Sequence, residues 1–238
     1  MKLSKTMVII GIIVFSVMCF CTQSQADWEH QDYHLNGVWG SSANDVFAVG
    51  DRSTILHYNG STWTKMATPA LHLNHLNGVW GTSGNDVFAV GSGVILHYDG
   101  IAWTEMENPV PSNLYGVWGS SGDNVFAVGA SSLILHYDGI AWSKIAGGGS
   151  GSDNLYGVWG SSENDVFIVG DHGTIRHYDG TTWTNMTAPS AFFHGVWGSS
   201  ENDVFAVGYH TISHYDGTAW TEMEYPGSSE RLKGVWGN

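Results

Sequence analysis

The thirty residues LYGVWGSSENDVFIVGDHGTIRHYDGTTWT, Leu155 to Thr184, hold the pattern on which the fold turns. Four short apolar stretches follow one another: G-V-W-G from Gly157, D-V-F-I-V-G from Asp165, I-R-H-Y from Ile175, and a tryptophan with threonine at Trp183. Each is rich in β-branched and aromatic residues and is bounded by Gly, Asn or Asp, which reads as a strand between turns. Asp179-Gly180, directly after Tyr178, is a hairpin-turn signal, because both residues accept backbone conformations with positive φ. The stretch therefore predicts four antiparallel strands, named a to d here.

The same unit recurs along the chain. G-V-W-G begins at Gly37, Gly78, Gly116, Gly157, Gly195 and Gly234, at intervals of 41, 38, 41, 38 and 39 residues. Strand b begins at Asp45, Asp86, Asn124, Asp165 and Asp203, always 8 residues after the glycine of strand a. H-Y-D/N-G closes strand c at His57, His97, His136, His177 and His214, and strand d opens at Trp63, Trp103, Trp142, Trp183 and Trp220. Length drifts mainly in the d-to-a connection, which places it on a surface where insertions cost little. No window of 11 or more residues after the leader keeps a helical apolar period, so almost no helix is expected. Self-similarity near 40 residues with four strands per unit predicts an all-β propeller of four-stranded blades, with the G-V-W-G strands innermost.

The ends do not tile evenly. Asp27-Trp28-Glu29-His30 resembles a lone strand d, and Lys233 to Asn238 a lone strand a. Together they supply parts of a split sixth blade, which leaves five- and six-bladed rings both open. A third expectation is a truncated chain that does not close and dimerises through open blade edges.

At the other end of the organisation stands residues 1–26. Lys2 and Lys5 precede an apolar run from Met7 to Cys21, followed by Ser24-Gln25-Ala26. The run is shorter than a membrane span, and the pattern predicts a signal peptide cleaved after Ala26, with a secreted or periplasmic product. A lipoprotein anchor through Cys19 or Cys21 is the lesser alternative, since Met18 or Phe20 stands where a small residue is wanted. Both cysteines fall inside the leader, so residues 27–238 carry no disulfide, thiol nucleophile or thiolate metal site. With 22 acidic against 8 basic residues and a net charge of −14, nucleic acid and anionic lipid are poor partners. No membrane span is expected once the leader is gone.

The unit resembles repeats of bacterial secreted propellers. It is similar to photosystem II stability/assembly-factor-like repeats and, more loosely, to the Asp-box repeats of sialidase-like propellers, through V-G-D-x-G-T-I at Val169–Ile175 and D-G-x-x-W at Asp179–Trp183. The resemblance implies the propeller and little about function, since such repeats serve unrelated activities. The Asp-Gly here is one residue shorter than an Asp-box. The three arginines after the leader, Arg52, Arg176 and Arg231, do not make a sialidase's carboxylate-binding cluster.

Candidate chemistry is sparse. There is no H-E-x-x-H, no G-x-S-x-G and no phosphate-binding loop, so a non-catalytic protein without cofactor or metal is expected. The five repeated histidines and the strand-b carboxylates sit at equivalent positions of separate units, and local hydrogen bonding and turn formation account for them. The strand-d tryptophans Trp63, Trp103, Trp142, Trp183 and Trp220 suit either packing between blades or stacking on sugar rings. Residues that break the repeat are the better pointers to a specific site: Arg52, His72, His75, Arg176, Phe192, Phe193 and His210. The leading expectation is a protein-interaction or scaffolding module. The alternative is a multivalent carbohydrate binder.

Overall fold

The computed structural model describes residues 34–69, 74–147, 151–189, 191–225 and 231–237. The leader, the lone strand d at Asp27–His30 and His72 lie outside them.

The register of blade 1 shows how the repeat is used. Its strands are β1 (Leu35–Ser42), β2 (Asp45–Gly50), β3 (Thr54–Tyr58) and β4 (Trp63–Lys65), joined in sequence order as one antiparallel sheet. Trp39 pairs with Phe47, Phe47 with His57, and His57 with Thr64, so these four share one face. Val38, Ala48, Leu56 and Lys65 share the other. Four further sheets repeat this order, beginning at Leu76–Ser83, Leu114–Ser121, Leu155–Ser162 and Phe193–Ser200. The one helical element among the described residues is the 3-10 turn Asp171–Gly173.

The core lies between blades. Phe47, Val49 and Ile55 of blade 1 pack with Leu76, Val79 and Trp103 of blade 2 in one buried cluster. The equivalent residues build the next three interfaces. Successive blades meet chiefly through their G-V-W-G strands, so these are the inner edges and the exposed W-T-x strands the outer ones.

The inner contact explains the motif. Trp39, Trp80, Trp118 and Trp159 lie against Gly81, Gly119, Gly160 and Gly198, the closing glycine of the next unit's G-V-W-G. A Cβ at Gly119 would stand 2.7 Å from the Asn124 carbonyl oxygen and 2.7 Å from Trp80 Cη2. Farther out, each strand-b phenylalanine meets the next blade's strand-d tryptophan edge to face, with ring centroids 6.1–6.2 Å apart at all four interfaces. Such a pair contributes about 0.5–1.5 kcal/mol beyond its buried area.

The last G-V-W-G continues the series. Leu232 packs on Val207 and Ile212, Tyr209 bridges Arg231, and Gly237 lies against Trp197 as the earlier glycines lie against their tryptophans. The expected five full repeats are present, and residues 231–237 lie along the inner part of blade 5 with one isolated bridge, Tyr209 to Arg231, and no strand among them. Blade 5 and residues 231–237 make the smallest of the interfaces, because among the described residues no outer strands follow them.

Gly119→Ala is expected to destabilise by about 1–3 kcal/mol, the cost of forcing a methyl into a filled contact. Gly234 opens the last G-V-W-G with nothing within 4 Å of its would-be Cβ. Gly234→Ala should stay within about 0.5 kcal/mol of the parent. Urea unfolding of both variants checks this, and equal effects would show that the indole-on-glycine contact does not require the glycine.

Candidate functional site

The repeated polar residues are occupied structurally. His57, His97, His177 and His214 place Nε2 2.6–2.8 Å from the strand-b carboxylates Asp45, Asp86, Asp165 and Asp203. Each ring also lies over its blade's phenylalanine. The second carboxylate oxygen accepts a hydroxyl from Ser41, Thr82, Ser161 or Ser199. Burial alone would raise Asp45, but the Ser41 hydroxyl and His57 outweigh it and hold its carboxyl below the ordinary value. These clusters tie the a–b turn to strand c. In the c–d turns, Asp99, Asp138, Asp179 and Asp216 accept backbone N–H bonds from the residues two and three ahead. Among the described residues no group of three or more His, Cys, Asp or Glu could hold a metal ion.

Of the tryptophans considered for ligand stacking, Trp103, Trp142 and Trp220 are buried in blade interfaces. Their indole N–H groups point at Met66, Met106 and Met186 of the preceding blade, with N···S distances of 3.3 Å. They fill space between sheets and present no open ring face. Trp63 is exposed on blade 1 and Trp183 is half-buried. Arg52 lies exposed in the first b–c turn with φ of 56°. His75 pairs with Asp51 at 2.8 Å, and Phe193 fills the core position that leucine holds in the other units. Phe192 is exposed beside His172, and His210 meets Tyr209 edge to face.

One interface departs from the rule. Between blades 3 and 4, Ile145 stands where the methionine should be and offers Trp183 no sulfur. Asn124 replaces the strand-b aspartate, and its Oδ1 accepts from His136 Nε2 at 2.9 Å. The result is a cleft of about 470 Å³ lined by Asn124, His136, Glu163, Asn164, Thr181 and Trp183, among others. Burial pushes the His136 pKa down, opposed by Asp138, because the amide gives it no counter-charge. Asn124 Nδ2 reaches Glu163 Oε2 at 3.5 Å across the opening. Arg176, beneath, donates from its terminal nitrogen to the Gly147 carbonyl, while its Nε is buried with no hydrogen-bond partner. The arrangement offers an indole face, amide and carboxylate groups and a neutral imidazole, which suits binding by hydrogen bonds and stacking.

Of the residues that broke the repeat in sequence, only Arg176 belongs to this interface. Asn124 and Ile145 were missed there. The signal was present as the residue three beyond each strand-d tryptophan, which runs Met66, Met106, Ile145, Met186, Met223.

No known family matches the chain, and no curated protein does. Among solved structures it is similar to an ancestral GH74 enzyme, with a TM-score of 0.69 and 12% identity over 83% of this chain and 32% of that one. It is similar to U3-55K, with a TM-score of 0.69 and 10% identity over 84% and 69%. The fold is a β-propeller. YCF48 bound to D1 peptide also matches, at a TM-score of 0.45 and 14% identity over 80% and 82%. The chain spans about a third of the length of the GH74 enzyme. At these identities the likeness reports the propeller architecture and its repeated blades.

Two outcomes test the cleft. Ile145→Met should supply the missing sulfur and stabilise by about 0.3–1 kcal/mol in urea unfolding. No gain would mean that Trp183 is already satisfied. His136 is held below its ordinary value of 6.5, so its neutral form is favoured on folding. That contribution is present above about pH 6.5 and is lost as pH falls toward the folded value. Stability measured between about pH 7 and pH 5 should fall less steeply in His136→Gln than in the parent.

Proposed function

We propose that the protein is a non-catalytic binding module, delivered outside the cytoplasm, that engages another polypeptide across the cleft between blades 3 and 4. The observation that carries this reading is the interface between blades 3 and 4, which among the four between described blades lacks the tryptophan–methionine contact of the other three. A protein built from near-identical units gains a specific site only where a unit differs.

Polypeptide is favoured over glycan by two exposed apolar residues on the turns of the preceding blades. Ile101 and Ile140 occupy the same c–d turn position as Thr181 in consecutive blades, and they are 89% and 88% exposed. Branched apolar side chains on turns fixed by Asp99 and Asp138 suit the apolar side chains of a partner, with Trp183 as a deeper anchor. The second reading, carbohydrate binding, draws on Trp183 with Asn124, Glu163 and Asn164, a lining that suits a sugar equally. The leader supports export, and no helix among the described residues is long and apolar enough to cross a membrane.

A photo-crosslinking residue at Thr181 in cells of the producing organism should capture one discrete polypeptide. Capture should fall at least about tenfold with Trp183→Ala or Ile140→Asp, the loss expected when a central anchor is removed. A glycan-array signal that disappears with Trp183→Ala and survives Ile140→Asp would transfer the site to the carbohydrate reading. Turnover of a substrate panel would remove the non-catalytic assignment.

A further inference from the structure

The face of blade 1 that looks away from blade 2 carries Leu35, Val38, Gly40 and Trp63. Val38 is 71% exposed, where Val79, Val117, Val158 and Val196 at the same position are 8–9% exposed. Leu35 is 45% exposed, against 0% for Leu76, Leu114 and Leu155. Trp63 is 42% exposed, and no described indole lies over Gly40.

The opposite face of blade 5 carries the reciprocal set. Phe205 is half-exposed and contacts no tryptophan among the described residues, unlike the phenylalanines of blades 1 to 4. Met223, the counterpart of Met66, Met106 and Met186, is 39% exposed and has no described indole on its sulfur. Residues 231–237 cover only the inner part of this face, through Leu232 and Val235.

We propose that these faces bind each other between two copies of the chain, head to tail, with blade 1 of one copy seated on blade 5 of the next. Trp63 then takes Phe205 and Met223, as Trp103 takes Phe47 and Met66 within the chain. The G-V-W-G of β1 is identical to that of residues 234–237, so it can replace that terminal segment with the same inner contact, Gly40 lying against Trp197. A whole blade also covers the outer residues that the terminal segment leaves open, so the exchange gains apolar burial. The surfaces differ, so the contact is heterologous and each copy keeps one free face for another.

The full chain is expressed, and the form the cell delivers is studied by sedimentation over a wide concentration range. Mass should rise with concentration past that of a dimer. Val38→Glu on one face and Met223→Glu on the other should each weaken self-association by about tenfold or more, because each buries an unpaired charge. Mixed in equal amounts, the two variants should form a one-to-one dimer and nothing larger, since each retains one working face. Unfolding midpoints at low concentration should match the parent. If Met223→Glu lowers the midpoint, Met223→Gln replaces it, keeping the side-chain length without a charge. A parent that stays monomeric throughout overturns the proposal, with residues 27–33 then the segment to test as the cover. Association unchanged by Val38→Glu, or a mixture that stays monomeric, overturns it equally.

Discussion

The contact of one indole with the next unit's glycine sets the spacing of the whole stack. It is one of two close approaches between sheets, the other being at the opening glycine of the motif, where a Cβ at Gly116 would stand 2.7 Å from the Tyr156 carbonyl oxygen. Once Trp80 rests on Gly119, the register of the two blades is set, and Phe88 meets Trp142 and Met106 farther out. The outer aromatic pairs have nearly the same geometry at all four interfaces, which is what a fixed inner hinge would produce. Four-stranded sheets of this size hold little core of their own. Their apolar residues become a core only when a neighbouring blade covers them, so stability accrues interface by interface as in other repeat arrays.

That dependence orders the polar residues too. A strand-b carboxylate between a histidine and a hydroxyl binds the a–b turn to strand c and keeps the phenylalanine ring sandwiched under the imidazole. The ring must be held there because its other surface receives the next blade's tryptophan. Turn aspartates do the same for the c–d hairpin, and their carboxyls lie below the usual range where backbone N–H groups bond them, as at Asp99, Asp138 and Asp216. Histidines that look in sequence like repeated metal ligands are thereby committed to their own blades.

Much of this was legible from spacing alone. A constant 8 residues from G-V-W-G to strand b, with drift mainly in the d-to-a link, is enough to place four strands and to say which connection crosses between blades. The tryptophan series left two readings open, packing or stacking on a ligand, because a position repeated in every unit satisfies both. Burial separated them: Trp103, Trp142 and Trp220 point inward at sulfur, a partner that belongs to the preceding repeat and lies 34–37 residues away. Reading each unit by itself could not pair Trp183 with Ile145. Arg176 was visible as an odd residue in one unit, whereas Ile145 is odd only in relation to the next unit's tryptophan.

The consequence reaches beyond the cleft. In a stack of near-copies, every face is made to receive every other face, and specificity has to be subtracted before it can be added. Ile145 and Asn124 remove a lock at one interface and leave room there. At the ends of the stack, the exposed sets on blades 1 and 5 are the same residue types that meet at the interior interfaces. Internal interfaces are favoured over these end contacts by connection alone, because a covalent link of 7 to 10 residues between strand d and the next strand a gives its neighbour an effective concentration that a free copy must match. The balance between a solitary stack and an extended one is therefore set by protein concentration and by how well residues 231–237 compete for the inner half of the last face.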